Sequence, residues 1–319
     1  MKLDIIFSTF NGALRLRKML EAFCALDIPE MVQLSVIGID NAPTDSSGKV
    51  LRSYEQRLPL KILQQPKPGK NAALNLAIAH SRGEIVVFTD DNIIPNVDWI
   101  VRLTEAFHKN PDFDLFGGAV VPRWPSKPPP RLLDQVPLGA AFAITPDTLK
   151  TGPCDASEIW GNNMAVRKYI FSAGHRFNED MGASAADHGM GSGTEFLKRC
   201  QTAGHKAFFE ERAVVQHMIR KEQLTARWLE GRGHRFGQSY FYSELHEATA
   251  KPTVTELRGA PRWAMRKKIG YQIKAALPFI RNYSTVWKSG FYAGYVREYR
   301  NWHRDKASDE TAQWQRYTK

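Results

Sequence analysis

The chain has 319 residues, of which 43% are hydrophobic and 24% charged, the balance of an ordinary soluble globular protein with room for one large or two modest domains. No stretch approaches the roughly 18 uninterrupted apolar residues of a spanning helix, and Met1-Lys2-Leu3-Asp4-Ile5 enters a strand at once without the apolar core of a signal peptide. Three scattered cysteines, Cys24, Cys154 and Cys200, have no metal-type spacing and read as reduced thiols, so a cytosolic protein is expected. The net charge of +11 is uneven. Residues 1–219 hold 24 Lys+Arg and 24 Asp+Glu, while residues 220–319 hold 20 against 9. A neutral body joined to a basic region predicts two tasks, chemistry and attraction to something anionic.

In chain order, Leu3–Thr9 reads as a strand and Leu14–Leu26 as an amphipathic helix. Gln33–Asp40 is a second strand ending in an acid. A turn-rich stretch, a helical Lys49–Arg57 and a short strand Leu60–Gln64 follow. Pro66-Lys67-Pro68-Gly69 breaks the chain before a strong helix, Lys70–Ser81. A strand then runs into Asp90-Asp91-Asn92, and a helix is expected over Val97–His108. These β-α-β repeats imply a mostly parallel sheet with helices on both faces. After a strand at Leu115–Val121, Pro122 to Pro153 holds eight prolines and is expected to be irregular, in the manner of a binding loop or lid. Gly161–Arg167 and Ala207–Glu210 read as short strands, and the chain from Gln223 onward as helical.

The stretch Gly83 to Asn92 carries the most chemistry. An apolar, β-branched run ends in two carboxylates and an amide, at the sheet edge where open α/β folds bind ligands. Hard divalent cations that carry phosphates use one or two carboxylates, with the phosphate completing the shell. A cap or turn explains Asp90-Asp91-Asn92 equally well when the segment is taken alone.

Four motifs in order break that tie: Ser8-Thr9-Phe10-Asn11; Asp40-Asn41 with Asp45; Gly69-Lys70-Asn71 with Asn75; and Thr89-Asp90-Asp91-Asn92. Over roughly residues 3–220 the chain resembles nucleotide-sugar glycosyltransferases of family 2, as found among bacterial surface-polysaccharide enzymes. The resemblance implies the GT-A fold, a Rossmann-like α/β architecture. It implies a transferase domain over 1–222, with a donor half about 1–121 and an acceptor half about 154–222. A basic, aromatic-rich helical region over 223–319 follows.

The resemblance also implies a UDP-, GDP- or dTDP-sugar donor, a Mn²⁺ or Mg²⁺ cofactor and inversion at the anomeric carbon. Thr9, Asn11, Asp40, Lys70, Asn71 and Asp90 are then the nucleotide-sugar residues. Asp40 reads the base, and Lys70 adds charge to the amide-lined start of its helix. Asp91, Asn92 and His217 are the metal residues, with Asp91 carrying most of that duty because Asn92 replaces a common third acid. Aligned on Arg199, the family's Glu-Asp pair falls on Ser192-Gly193; with a small gap it falls on Thr194-Glu195. Glu195 is therefore the expected general base, with Asp187 in reserve. Gly189, Gly191 and Gly193 suggest a loop that closes over the substrates. Trp160, Asn162 and Asn163 match the acceptor side.

Gln223-Leu-Thr-Ala-Arg227-Trp228 is one residue too long for the element of processive synthases, and polymerisation is not expected. Met265, Ile269, Ile273, Ala276 and Ile280 form one apolar stripe beside Arg266, Lys267, Lys268 and Lys274. Phe291, Tyr292, Tyr295, Val296, Tyr299 and Trp302 form another. Either they pack inside the protein or they lie in an anionic membrane surface; the charge excess favours a membrane-bound acceptor such as a lipid-linked sugar. The expected activity is elongation of a polysaccharide or glycolipid, in the cytosol or peripherally on the inner face of a membrane. A nucleic-acid-binding protein, a sugar nucleotidyltransferase and an inactive homologue stand as alternatives. The tail shows no nucleic-acid motif, and no nucleic-acid partner is expected.

Overall fold

The computed structural model describes residues 1–179, 190–247 and 255–308. They divide into two compact units. The first holds Met1–Arg123, the chain from Phe142 onward through the middle strands, and Gly191–Ile219; the second holds Trp124–Ala141 and the chain from Arg220.

The first unit is built on a nine-stranded sheet. Its strands are β1 (Lys2–Thr9), β2 (Gln33–Asn41), β3 (Leu60–Gln65), β4 (Ile85–Asp90), β5 (Ile93–Pro95), β6 (Leu115–Arg123), β7 (Gly152–Cys154), β8 (Asn163–Arg167) and β9 (Ala207–Met218). The order is β3-β2-β1-β4-β8-β6-β9-β5, with β7 also on β9. β1 to β4, β6 and β9 run one way; β5, β7 and β8 oppose them. The helices are α1 (Ala13–Cys24), α2 (Ser47–Arg52), α3 (Lys70–His80), α4 (Trp99–Lys109), four short or connecting helices α5 (Leu132–Gln135), α6 (Leu138–Phe142), α7 (Tyr169–Ser172) and α8 (Ser192–Thr202), then α9 (Ala226–Glu247), α10 (Arg262–Ala276) and α11 (Tyr283–Ser308).

The central strands are buried on both faces, which is why they read as continuous apolar runs rather than alternating ones. Alternate residues feed two cores. Leu3, Ile5 and Phe7 of β1 join Val87 of β4 under Leu16 and Leu20 of α1 and Trp99 and Leu103 of α4. Ile6, with Ile37, Val86 and Phe88, packs under Leu74 and Ile78 of α3 and Phe196 and Leu197 of α8. The mostly parallel sheet covered on both faces is the expected architecture.

Three differences from the sequence reading concern the second half. The proline-rich stretch carries α5 and α6, which fit between prolines, and β7, a three-residue strand on β9 with Pro153 at its centre. β9 runs to Met218, well past Glu210, because it pairs in turn with β7, β6 and β5. The Trp124–Ala141 segment groups with the C-terminal unit, where Gln135 Oε1 accepts from the Tyr283 N–H at 3.0 Å and the Ala140 carbonyl from Arg232 Nε at 3.2 Å.

In the second unit α9 and α11 meet backbone to backbone. A Cβ at Gly237 would lie 2.0 Å from the Phe291 carbonyl oxygen, one at Gly290 2.0 Å from that of Glu230, and one at Gly294 1.9 Å from that of His234. Gly233/Gly237 and Gly290/Gly294 thus form two small-residue steps that let the helices touch. The aromatic stripe of α11 is spent on this packing: Tyr295 and Tyr299 contact Phe241, and Tyr292 stacks on Tyr271. Two exposed acids are engaged here as well. Glu244 accepts from Tyr295 Oη and Glu256 from Tyr299 Oη, both at 2.7 Å. Among the described residues no helix is long and apolar enough to cross a membrane.

Candidate active site at the strand ends

The C-terminal ends of β2, β1 and β4 collect the motif residues. Register sets Thr9 beside Asp40 and Ser8 beside Asp90, so one sheet edge presents both acids with Asp91 just beyond. The Asp40 side chain is buried, and its Oδ1 has no hydrogen-bond partner. Gly48 makes room for it; a Cβ there would lie 2.6 Å from Asp40 Oδ2. Burial pushes the Asp40 carboxyl above its usual range, reinforced by Asp45 and opposed by Arg52. An orphan buried acceptor at a strand end is a group awaiting a donor.

Asp90 and Asp91 are each ion-paired. Lys70, at the first turn of α3, bonds Asp90 Oδ1. Arg15, on the first turn of α1, bonds both oxygens of Asp91, Nε to Oδ1 at 3.2 Å and Nη2 to Oδ2 at 2.9 Å. Burial pulls the Arg15 pKa down, but Asp91, with Asp45 and Asp90 behind it, outweighs burial and holds it above its ordinary value. Thr9 Oγ1 donates to Asp91 Oδ2 at 2.8 Å, so the buried Thr9 orients an acid. Gly12 completes the arrangement, since a Cβ there would sit 2.2 Å from Thr9 Oγ1 and 2.3 Å from Asp91 Oδ2. Asn11, at φ 50°, holds the neighbouring loop by accepting from the Thr44 N–H at 2.8 Å. Asn71 is buried in α3, where its Nδ2 donates to the Asn178 carbonyl, and Asn75 binds the same segment by accepting from the Phe177 N–H at 3.0 Å.

β5 and β9 bring Asn92 and His217 together. His217 Nδ1 donates to the Phe142 carbonyl at 2.6 Å, which leaves Nε2 as the acceptor of Asn92 Nδ2 at 2.8 Å. Asn92 Oδ1 is buried with no partner. Among the described residues there is no cluster of three His, Cys, Asp or Glu that could hold a metal alone. The donor set nevertheless fits a hard cation whose remaining ligands are phosphate oxygens. Asn92 Oδ1 is an orphan acceptor, the Nε2 lone pair of His217 lies beside it and is held by Asn92 Nδ2 at 2.8 Å, and Asp91 Oδ1 accepts from Arg15 Nε.

Of the residues expected on the acceptor side, Trp160 is half-buried, and its Nε1–H and Asn162 Oδ1 are both buried without partners. Asn163 does not belong with them. It is fully buried, accepts from Trp99 Nε1 at 2.9 Å and donates to the Ala119 and Ala213 carbonyls at 3.0 and 2.8 Å. Its amide ties α4 to β6 and β9, so it is a core strut with no face left for a sugar. Glu195 lies inside α8 rather than on a loop; its carboxylate accepts from Arg199 Nε at 2.8 Å and Nη2 at 3.2 Å. Gly193 is helical and packed, since a Cβ there would lie 2.8 Å from the Gly161 Cα, which brings the start of α8 against the Trp160-Gly161 turn. That contact, not loop freedom, is the use of this glycine. Asp187 and Gly189 lie outside the described residues.

Arg15 was absent from the sequence reading. Its only signal is position, three residues after Gly12 on the helix that follows β1.

The sequence model of Glycosyl transferase family 2 matches residues 4–173, more than half of the chain. The chain belongs to this family. The transferase is 25% identical over 247 residues to the succinoglycan biosynthesis protein ExoM of Rhizobium meliloti, covering 75% of this chain and 74% of ExoM. Its fold matches the mannosyltransferase PcManGT from Pyrobaculum calidifontis, solved with GDP-Man and Mn²⁺, with a TM-score of 0.60, 19% identity and coverage of 93% of this chain and 86% of that one. It also matches residues 1–349 of S. aureus TarS in complex with UDP-GlcNAc, with a TM-score of 0.57, 13% identity and coverage of 96% and 92%. The transferase therefore shares the GT-A architecture of these enzymes along most of its length.

Proposed function

We propose that the enzyme transfers a sugar, with inversion, from a nucleoside-diphosphate sugar to a hydroxyl of a glycan or lipid-linked acceptor in polysaccharide or glycolipid synthesis. One observation carries the donor reading: the buried, partnerless Asp40 Oδ1 at the end of β2. It suits a base N–H, and it stands on the same sheet edge as the cations Lys70 and Arg15, which suit a diphosphate. Membership of the family and the likeness to ExoM support the class of product.

In this reading Asp40 accepts from the nucleobase, while Asp90 and Lys70 lie along the ribose and diphosphate. Thr9 and Arg15 orient Asp91, Asn11 holds the loop that borders the nucleotide, and Asn71 and Asn75 hold the chain over α3. Asp91, Asn92 and His217 would hold Mn²⁺ or Mg²⁺, which when bound supplies positive charge against the departing diphosphate. Trp160 and Asn162 receive the acceptor. Glu195, oriented by Arg199, removes the proton from the attacking hydroxyl; Asp187 is the second candidate for that task.

Asp40→Asn separates stability from binding. Burial raises the folded-state pKa of Asp40, so its stabilising contribution is complete below the unfolded value of about 3.9 and is lost as pH rises through the folded value. At neutral pH the ionised side chain opposes folding, and Asp40→Asn is expected to raise Tm. The same change removes a charge-assisted hydrogen bond and should weaken nucleoside-diphosphate binding by about tenfold or more. Calorimetric titration with UDP, GDP and dTDP, beside thermal unfolding, measures both. Unchanged affinity in Asp40→Asn, or no binding of any of the three nucleotides by the native enzyme, would remove the assignment.

A further inference from the structure

We infer that α10 and the turn after it form the surface by which this protein docks on an anionic lipid bilayer. The inference deepens the proposal of a membrane-borne acceptor but rests on the C-terminal unit alone.

α10 is only half used by the protein. Ala264 and Met265 are buried with Phe241, Tyr295, Val296 and Tyr299. Trp263, although partly exposed, packs on Tyr292 and Tyr295, but the opposite side and the helix end are open: Ile269, Ile273, Leu277, Phe279 and Ile280 are exposed, Ile273 at 55% and Phe279 at 88%. Single exposed apolar residues are ordinary, but five within the 12 residues from Ile269 to Ile280, with a bare phenylalanine on the turn, require an occupant. Pro278 stops the helix, and the turn carries Phe279 and Ile280 as its tip. Ala276 falls on the same open surface, whereas Met265 of the predicted stripe turns inward.

Charge identifies the occupant. Between Glu256 and Glu298 the chain carries nine Lys+Arg and no Asp or Glu. Both bounding acids are engaged within the unit, Glu256 by Tyr299 and Glu298 by Gln238. Arg266, Lys267, Lys274 and Arg281 are exposed among the apolar residues. A protein partner is a poor match, because interface cores are depleted in Lys. A bilayer surface accommodates both chemistries at once. Apolar side chains enter the acyl boundary, while Lys and Arg stems lie along them and extend their heads to lipid phosphates.

Sedimentation of the full chain with vesicles tests this. Vesicles of phosphatidylcholine alone are compared with vesicles that also contain phosphatidylglycerol, for the native protein, for Ile273→Ser with Phe279→Ser, and for Lys267→Glu with Lys274→Glu. All four side chains are exposed, and unchanged Tm and nucleotide binding in the variants would verify that both units remain folded. The native protein is expected to sediment only with phosphatidylglycerol vesicles, and each double variant to bind them at least about tenfold more weakly. No vesicle binding, equal binding to neutral vesicles, or a charge-reversal effect with none from Ile273→Ser and Phe279→Ser would overturn the docking surface. The last outcome describes a patch for soluble polyanions. None of these results bears on sugar transfer, which is read without vesicles.

Discussion

Glu195→Gln is expected to lower kcat by about 100- to 10,000-fold while leaving nucleoside-diphosphate affinity nearly unchanged. The substitution keeps the shape of the side chain and removes its capacity to take a proton. Glu195 sits at the start of α8, which packs through Gly193 on the Trp160-Gly161 turn, and so stands beside the proposed acceptor groups rather than at the nucleotide end. Its two oxygens face Arg199. A carboxylate offers about four lone-pair sites, so this pairing orients it without exhausting it. The same pairing supplies a control. Loss of the Glu195 charge removes the counter-ion of Arg199, which keeps its bond to the Arg176 carbonyl and its place over the Phe196 ring, so a fall in Tm measures the structural share of the effect. Single-turnover transfer and thermal unfolding, run together on Glu195→Gln and Asp187→Asn, assign the base. If kcat survives in Glu195→Gln and collapses in Asp187→Asn, Glu195 is a helix-end ion pair and Asp187 takes the role.

Gly294→Leu is expected to destabilise the C-terminal unit by about 3 kcal/mol or more. Its Cβ would fall 1.9 Å from the His234 carbonyl oxygen and 2.7 Å from the carbonyl carbon, so backbone rather than a flexible side chain must move. Displacing α11 from α9 also opens the contacts of Phe241 with Tyr295 and Tyr299. Gly270 is the contrasting position. It lies inside α10 with nothing within 4 Å of its Cβ, and Gly270→Ala should stabilise by up to about 1 kcal/mol, the helix-propensity difference. Denaturant unfolding of both variants measures the difference; similar midpoints would mean that α9 and α11 are not locked by these glycines.

The gathering of the motif residues at one sheet edge was legible because its information is local. A β-branched run ending in Asp90-Asp91, an acid at the end of Gln33–Asp40 and a glycine before Lys70 each report a strand end or a helix start. The β-α-β repeat then brings those ends to one edge. Arg15 was not legible, because its pairing with Asp91 crosses 76 positions and follows from the sheet order, not from periodicity. Asn163 was misplaced for the same reason. Two adjacent asparagines look alike in sequence and both are buried, yet only the tertiary structure supplies Trp99, Ala119 and Ala213 as the partners of Asn163. The glycine in Gly-Ser-Gly-Thr suggested freedom, whereas Gly193 marks close approach of two backbones. Likewise the two stripes of the basic region are both apolar at helical spacing. Contact with α9 separates them, since one is consumed in packing and the other is left in the open.

The most direct measurement follows nucleoside-diphosphate release from a panel of UDP-, GDP- and dTDP-sugars with Mn²⁺ or Mg²⁺, for the native enzyme and for Asp91→Ala. Cation-dependent release from one donor class, reduced at least about 100-fold in Asp91→Ala, is the predicted result. Release that is indifferent to chelator and unchanged in Asp91→Ala would contradict the site at the ends of β1, β2 and β4.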